Sequence, residues 1–125
     1  MINMFSVSDN YVKGDKMAYK SKFDSQENTR LFEAILSLDS VEECYRFFED
    51  LMTIKELKAI SQRWQVAMML EEGKTYNEVA ELTNASSATI SRVSKCLSYG
   101  AGGYTSVLAK TAKTGNTESS EEKDE

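Results

Sequence analysis

Histidine and proline are both absent from this 125-residue chain. Without histidine it lacks the commonest general base near neutral pH and the commonest metal ligand. Cysteine is scarce: Cys44 and Cys96 are the only two. Both fall on apolar or half-buried faces of expected helices, where they read as small hydrophobes in a reducing cytosol rather than as a disulfide or redox pair. There is no glycine-rich phosphate loop and no paired-cysteine metal spacing, so neither an enzyme nor a metal site is expected. No run of 18 apolar residues exists, and the N-terminus has no continuous apolar core. A membrane span and a signal peptide are therefore not expected, and the expected location is cytoplasmic.

What is present is bounded by size and charge. A chain of 125 residues makes one domain plus tails and buries roughly two-thirds of its unfolded surface. The net charge of −5 argues mildly against a nucleic-acid binder taken whole, but its distribution is uneven. Residues 1–52 carry 6 basic and 10 acidic groups, and residues 97–125 carry 3 and 5. Residues 53–96 carry 6 basic and 5 acidic groups, so this stretch is near neutral inside an acidic chain. DNA binding by such a segment would rest on a locally placed basic end and on helix N-termini. Weak non-specific affinity and marked salt sensitivity would follow.

The most informative segment is Lys74–Leu97, KTYNEVAELTNASSATISRVSKCL. Thr75 is placed to cap a first helix, with Glu78 three residues on completing a capping box. Val79 and Leu82 make an inward apolar pair, and Ala80 is small where a second helix would cross close by. Asn84 sits where the turn needs a residue tolerant of a left-handed backbone. Ser86 or Ser87 caps the second helix, whose Ile90, Val93 and Leu97 form an apolar stripe. Its opposite face carries Ser87, Thr89, Ser91, Arg92 and Lys95. This is the pattern of a helix-turn-helix that offers donors to base edges in the DNA major groove. The blander interpretation is a helical hairpin with a polar outer face.

Elsewhere the chain divides simply. Residues 1–23 are polar, show no sustained period and are expected to form a flexible arm; Met17 offers an alternative start. A helical domain for DNA binding and dimerisation is expected over 24–109, with the helix-turn-helix at 74–97. Leu31, Ile35 and Leu38, flanked by Phe32 and Leu36, give a wide apolar stripe. Ser40 with Glu43 and Thr53 with Glu56 make two further capping boxes. The helix opened by Thr53 runs to about Glu72, with Ile54, Leu57, Ile60, Trp64, Ala67 and Met68 along one side and Gly73 as its stop. The glycine-rich SYGAGGY follows Leu97, then a short helix over Thr105–Ala109. Residues 110–125 have no large apolar group and are expected to be a disordered acidic tail. It serves solubility or screens the DNA face from non-specific contacts.

The wide apolar surface of the early helices needs a cover, since Phe32, Phe47 or Phe48 would otherwise stay exposed. A twofold homodimer supplies one. It would also set two reading helices about 34 Å apart, the spacing of a palindromic site on double-stranded DNA.

The stretch LMTIKELKAISQRWQVAMMLEEGKTYNEVAELTNASSATISRVSKCL resembles the core of the Trp repressor family. The similarity to its YerC/YecD-type members is closer still and extends from about Leu31 to SYGAGGY. The resemblance implies an all-α, Trp-repressor-like helical bundle with a helix-turn-helix, forming an intertwined homodimer that regulates transcription. Residues matching the family's DNA surface are Tyr76, Asn77, Ser86, Ser87, Ala88, Thr89 and Ser91, to which the basic end adds Lys95. Hydroxyls and alanine at a helix start suit phosphate anchoring, thymine-methyl contact and water-bridged readout.

In that family L-tryptophan wedges between the central and the reading helix. By resemblance, Thr53, Arg63, Thr89 and Arg92 match its pocket in type, Arg92 pairing with the carboxylate and Arg63 stacking on the indole. Two positions depart. Val93 stands where the repressor has a glycine that leaves room for the ligand, and Cys96 replaces a serine that helps hold the amino group. An added valine side chain costs ligand fit on the order of 1–3 kcal/mol. The expectation is therefore a DNA-binding regulator with no cofactor and with tryptophan disfavoured as corepressor. A tryptophan-responsive repressor and a helical protein-interaction adaptor are the alternatives.

Overall fold

The computed structural model describes residues 18–112, which contain six helices and no strand. Residues 1–17 of the arm expected over 1–23, and residues 113–125 of the tail expected over 110–125, lie outside them, while residues 110–112 of that tail are helical. The chain divides into two units at Leu51 and Met52.

The first unit holds α1 (Gln26–Leu36) and α2 (Val41–Leu51). Ser25 starts α1, its hydroxyl accepting the N–H of Asn28 at 3.0 Å. The Asn28 side-chain amide in turn donates to the Phe23 carbonyl at 2.7 Å, so the incoming chain is tied to the first turn. At the start of α2 the Ser40 hydroxyl accepts from the Glu43 N–H at 3.1 Å. The Glu43 carboxylate, however, takes the N–H of Asp39 rather than that of Ser40. The box expected from sequence is thus closed one residue upstream. Phe47 and Phe48 meet edge to face with centroids 5.4 Å apart. Neither helix contains a buried residue, and Phe32, Leu36, Val41 and Tyr45 are exposed.

The second unit holds α3 (Ile54–Glu71), α4 (Tyr76–Thr83), α5 (Ser87–Tyr99) and α6 (103–112). Thr53 and Glu56 close a full capping box at the start of α3. Its end is a Schellman turn. Gly73, at φ +87°, donates to the Leu70 carbonyl and Lys74 donates to that of Met69, both at 3.1 Å. The core is Val66 and Ala67 of α3, Val79 of α4, Ala85 of the turn, and Ile90 and Val93 of α5. Trp64, Leu70, Leu97 and Tyr104 pack around it.

Three sequence expectations change here. Ile54 and Ile60 of the expected α3 stripe are exposed, because the buried residues of α3 are Val66 and Ala67 of its second half. Leu82 is 61% exposed, not inward. The buried arc of α4 is centred on Val79, Ala80 and Thr83, and Leu82 lies about 100° around the helix from it. The last helix is also longer than Thr105–Ala109, starting at 103 and continuing to 112.

Between α5 and α6, Gly100 donates to the Cys96 carbonyl at 2.9 Å. A Cβ at Gly100 would lie 2.3 Å from that same oxygen, so this corner admits no side chain without moving backbone.

Candidate nucleic-acid interface

The α4–α5 pair is assembled by local hydrogen bonds that leave one face free. Thr75 caps α4: its hydroxyl accepts from the Glu78 N–H at 3.2 Å, and the Glu78 carboxylate accepts from the Thr75 N–H at 2.9 Å. This brings Tyr76 and Asn77 to an exposed first turn. At the other end Asn84 takes φ +62° and donates its N–H to the Ala80 carbonyl at 2.9 Å. Thr83 locks the turn from inside, its hydroxyl donating to the Val79 carbonyl at 2.7 Å and accepting from the Ala85 N–H at 3.2 Å.

One residue in this arrangement was not singled out from sequence. The Gln62 side-chain amide of α3 donates to the Thr83 carbonyl at 3.1 Å, fastening the turn to the central helix. The available signal was a polar residue one helical turn before buried Val66, on the face that α3 turns to the core.

Ser86, not Ser87, caps α5. Its hydroxyl accepts the Thr89 N–H at 3.1 Å and donates to the Thr89 hydroxyl at 3.1 Å. Ser87, Ser91 and Lys95 follow at i, i+4 and i+8, with Ala88 and Arg92 in the adjacent row, and all five are exposed. Thr89 is half-buried. Ile90 and Val93 on the reverse side hold the helix to the core. Of the expected DNA set, Ser87, Ala88, Ser91 and Lys95 share the exposed face of α5, Ser86 is its N-cap and Thr89 turns toward the Val93 side, while Tyr76 and Asn77 lie on the first turn of α4.

Electrostatics distinguish α5 from the four helices before it. The first turns of α1 to α4 each carry at least one carboxylate, whereas that of α5 carries none. Its partial positive pole is therefore not neutralised by its own side chains. Among the described residues the ion pairs are Arg46 with Glu42 and Lys74 with Glu72. Arg63, Arg92 and Lys95 take part in neither. Among the described residues one carboxyl is clearly perturbed: the Thr53 backbone N–H, and then the Thr53 hydroxyl, hold Glu56 below the ordinary carboxylate range.

The six expected effector positions are more dispersed. The Thr53 hydroxyl is engaged in capping, about 15 Å along α3 from Arg63. Arg63 and Arg92 are exposed, and Val93 is 1% exposed within the core. Cys96 is a free thiol lining an apolar groove of about 480 Å³ with Trp64, Ala101, Gly103, Tyr104 and Val107. None of the other five lines that groove. Among the described residues no cluster of His, Cys, Asp and Glu could hold a metal ion, and no helix is long and apolar enough to cross a membrane.

Comparison with known proteins agrees with this architecture. The sequence profile of the family described as Trp repressor protein matches residues 26–112, the span from the start of α1 to the end of α6. The uncharacterised protein YerC of Bacillus subtilis is 50% identical over 99 residues, which cover 79% of this chain and 94% of YerC. A crystal structure of a candidate Trp repressor from Staphylococcus aureus superposes with a TM-score of 0.70 at 44% identity, covering 73% of this chain and 91% of that one. A TrpR-like protein from Eubacterium eligens gives 0.70 at 48% identity, covering 74% and 96%. With its helices matched from first to last and its α4–α5 pair capped at both ends, the chain belongs to the Trp repressor family of helical DNA-binding regulators.

Proposed function

We propose that the chain is a homodimeric, sequence-specific transcription regulator that reads a palindromic DNA site through the α4–α5 helix-turn-helix, without tryptophan as corepressor. The observation that carries this is the exposed α5 face. Ser87, Ala88, Ser91, Arg92 and Lys95 stand on a helix whose first turn has no carboxylate, held from behind by Ile90 and Val93. Hydroxyls and free N–H groups at that end suit phosphate, and Arg92 and Lys95 supply the charge that counterion release needs. A homodimer accounts for α1 and α2, which bury no residue in the single chain. No cofactor is required, and the site of action is the DNA of the cytoplasm.

Val93 is the reason for setting tryptophan aside. It fills core volume where the family's corepressor needs a glycine. The tryptophan-responsive alternative keeps support from Thr89 and Arg92, which match the pocket in type. Calorimetry decides it, since a binding heat at about 1 mM tryptophan would restore that mechanism.

The principal test is selection from random duplexes at low salt. Enrichment of a palindrome with half-sites about one helical turn apart is expected. Failure to enrich any palindrome overturns the proposal. If Arg92→Ala leaves DNA affinity unchanged, a protein-interaction adaptor is the better account.

A further inference from the structure

We infer that the acidic segment 113–125 of this chain docks on the exposed basic face of α5 when DNA is absent, so that DNA must displace it. The inference rests on the DNA-binding role proposed above. Its ground is the segregation of charge along the chain. Within 18–51 there are 4 basic and 8 acidic residues, and within 113–125 there are 2 and 5. Residues 52–112 carry 7 basic and 5 acidic residues, and are the one stretch of the three with a positive balance.

Charge and reach point to α5 as the acceptor. Its first turn has no carboxylate, and Arg92 and Lys95 lie on its exposed face outside the ion pairs of the described residues. The family profile ends at residue 112, so the acidic segment lies beyond the matched helical body. Its point of departure is within reach of α5. Thr111 and Ala112 line a groove with Met68, Glu71 and Glu72 at the end of α3, one turn before α4 begins. The chain path from Lys95 to residue 112, along α5, the link and α6, is at most about 35 Å, and thirteen extended residues span up to about 45 Å.

Chemically the segment imitates the ligand it competes with. Glu118, Glu121, Glu122, Asp124 and Glu125 present carboxylates to the same guanidinium, ammonium and helix-pole groups that phosphates would use. Each contact is weak, but tethering gives an effective concentration on the order of millimolar. Non-specific DNA, which relies on those charges alone, is suppressed most. A specific site adds base contacts and displaces the segment.

The test uses the full chain, with those five residues changed to their amides (Glu118→Gln, Glu121→Gln, Glu122→Gln, Asp124→Asn, Glu125→Gln). Without DNA, the backbone and side-chain NMR signals of Ser87–Lys95 are expected to shift relative to the parent. With random-sequence duplex in about 50 mM salt, binding is expected to tighten by roughly three- to ten-fold. That gain is expected to vanish in an Arg92→Gln, Lys95→Gln background. Unchanged α5 signals overturn the docking, even if affinity rises through net charge alone; so does a gain that survives loss of Arg92 and Lys95. If neither protein binds any duplex, the DNA-binding role fails, while the DNA-free NMR comparison still decides whether the segment sits on α5.

Discussion

The indole of Trp64 and the phenol ring of Tyr104 stack with centroids 6.3 Å apart and planes inclined by 19°. This contact joins α6 to the central helix across the glycine corner at Gly100, and both rings pack on the core. Replacing Tyr104 by alanine removes half-buried aromatic area together with the ring pair. A loss of about 1–3 kcal/mol in urea unfolding is expected, whereas Tyr104→Phe keeps the stack and stays near the parent. Equal losses for the two variants would show that the hydroxyl, not the ring, matters.

Gln62 presents a different kind of link. Gln62→Leu preserves bulk on α3 but deprives the half-buried Thr83 carbonyl of its donor. The expected cost is about 1–2 kcal/mol. Because the same bond fastens the α4–α5 turn, the ratio of specific to non-specific DNA affinity should fall more than stability alone would require. Competition binding at matched folded fractions checks this.

Val93 can be examined by removing it. Val93→Gly opens core volume and places glycine inside a helix, for an expected loss of about 3 kcal/mol in chemical unfolding. If valine is what excludes tryptophan, titration calorimetry of the variant should show a binding heat that the parent lacks. A variant as silent as the parent would mean that other positions, Cys96 among them, also bar the ligand.

Glu56 ties stability to pH. Its folded-state pKa is depressed by the Thr53 N–H and hydroxyl. The stabilisation is therefore complete above the ordinary carboxylate range and is lost as pH falls through the folded value. Urea midpoints measured from about pH 6 to pH 3 should decline less steeply for Glu56→Gln than for the parent. Parallel declines would assign the acid sensitivity to other carboxyls.

Legibility from sequence followed how local the cause was. Thr75, Glu78, Asn84 and Gly73 act through partners within a few residues, and each sits in the role its type and spacing predicted. Ile90 and Val93 were legible because one helix period fixes them. Leu82 was misjudged because its i+3 spacing from Val79 is compatible with either side of the buried arc, and only the path of α5 decides which side is covered. Gln62 escaped for a related reason: its partner, Thr83, is 21 residues away. The expected effector residues were grouped by resemblance alone, and no periodicity of α3 links its N-cap Thr53 to Arg63, about three turns further on.

The caps that bound α3, α4 and α5 have a kinetic consequence. Each helix carries its own start signal, and α3 and α4 also carry their stops, within three or four residues of chain. Winding them requires few long loops to close, and the second unit should fold on the fast scale of local helical topologies. The bare apolar sides of α1 and α2 have no such internal answer. For the proposed homodimer, the slow step of assembly is then the meeting of two chains, and its rate should scale with protein concentration.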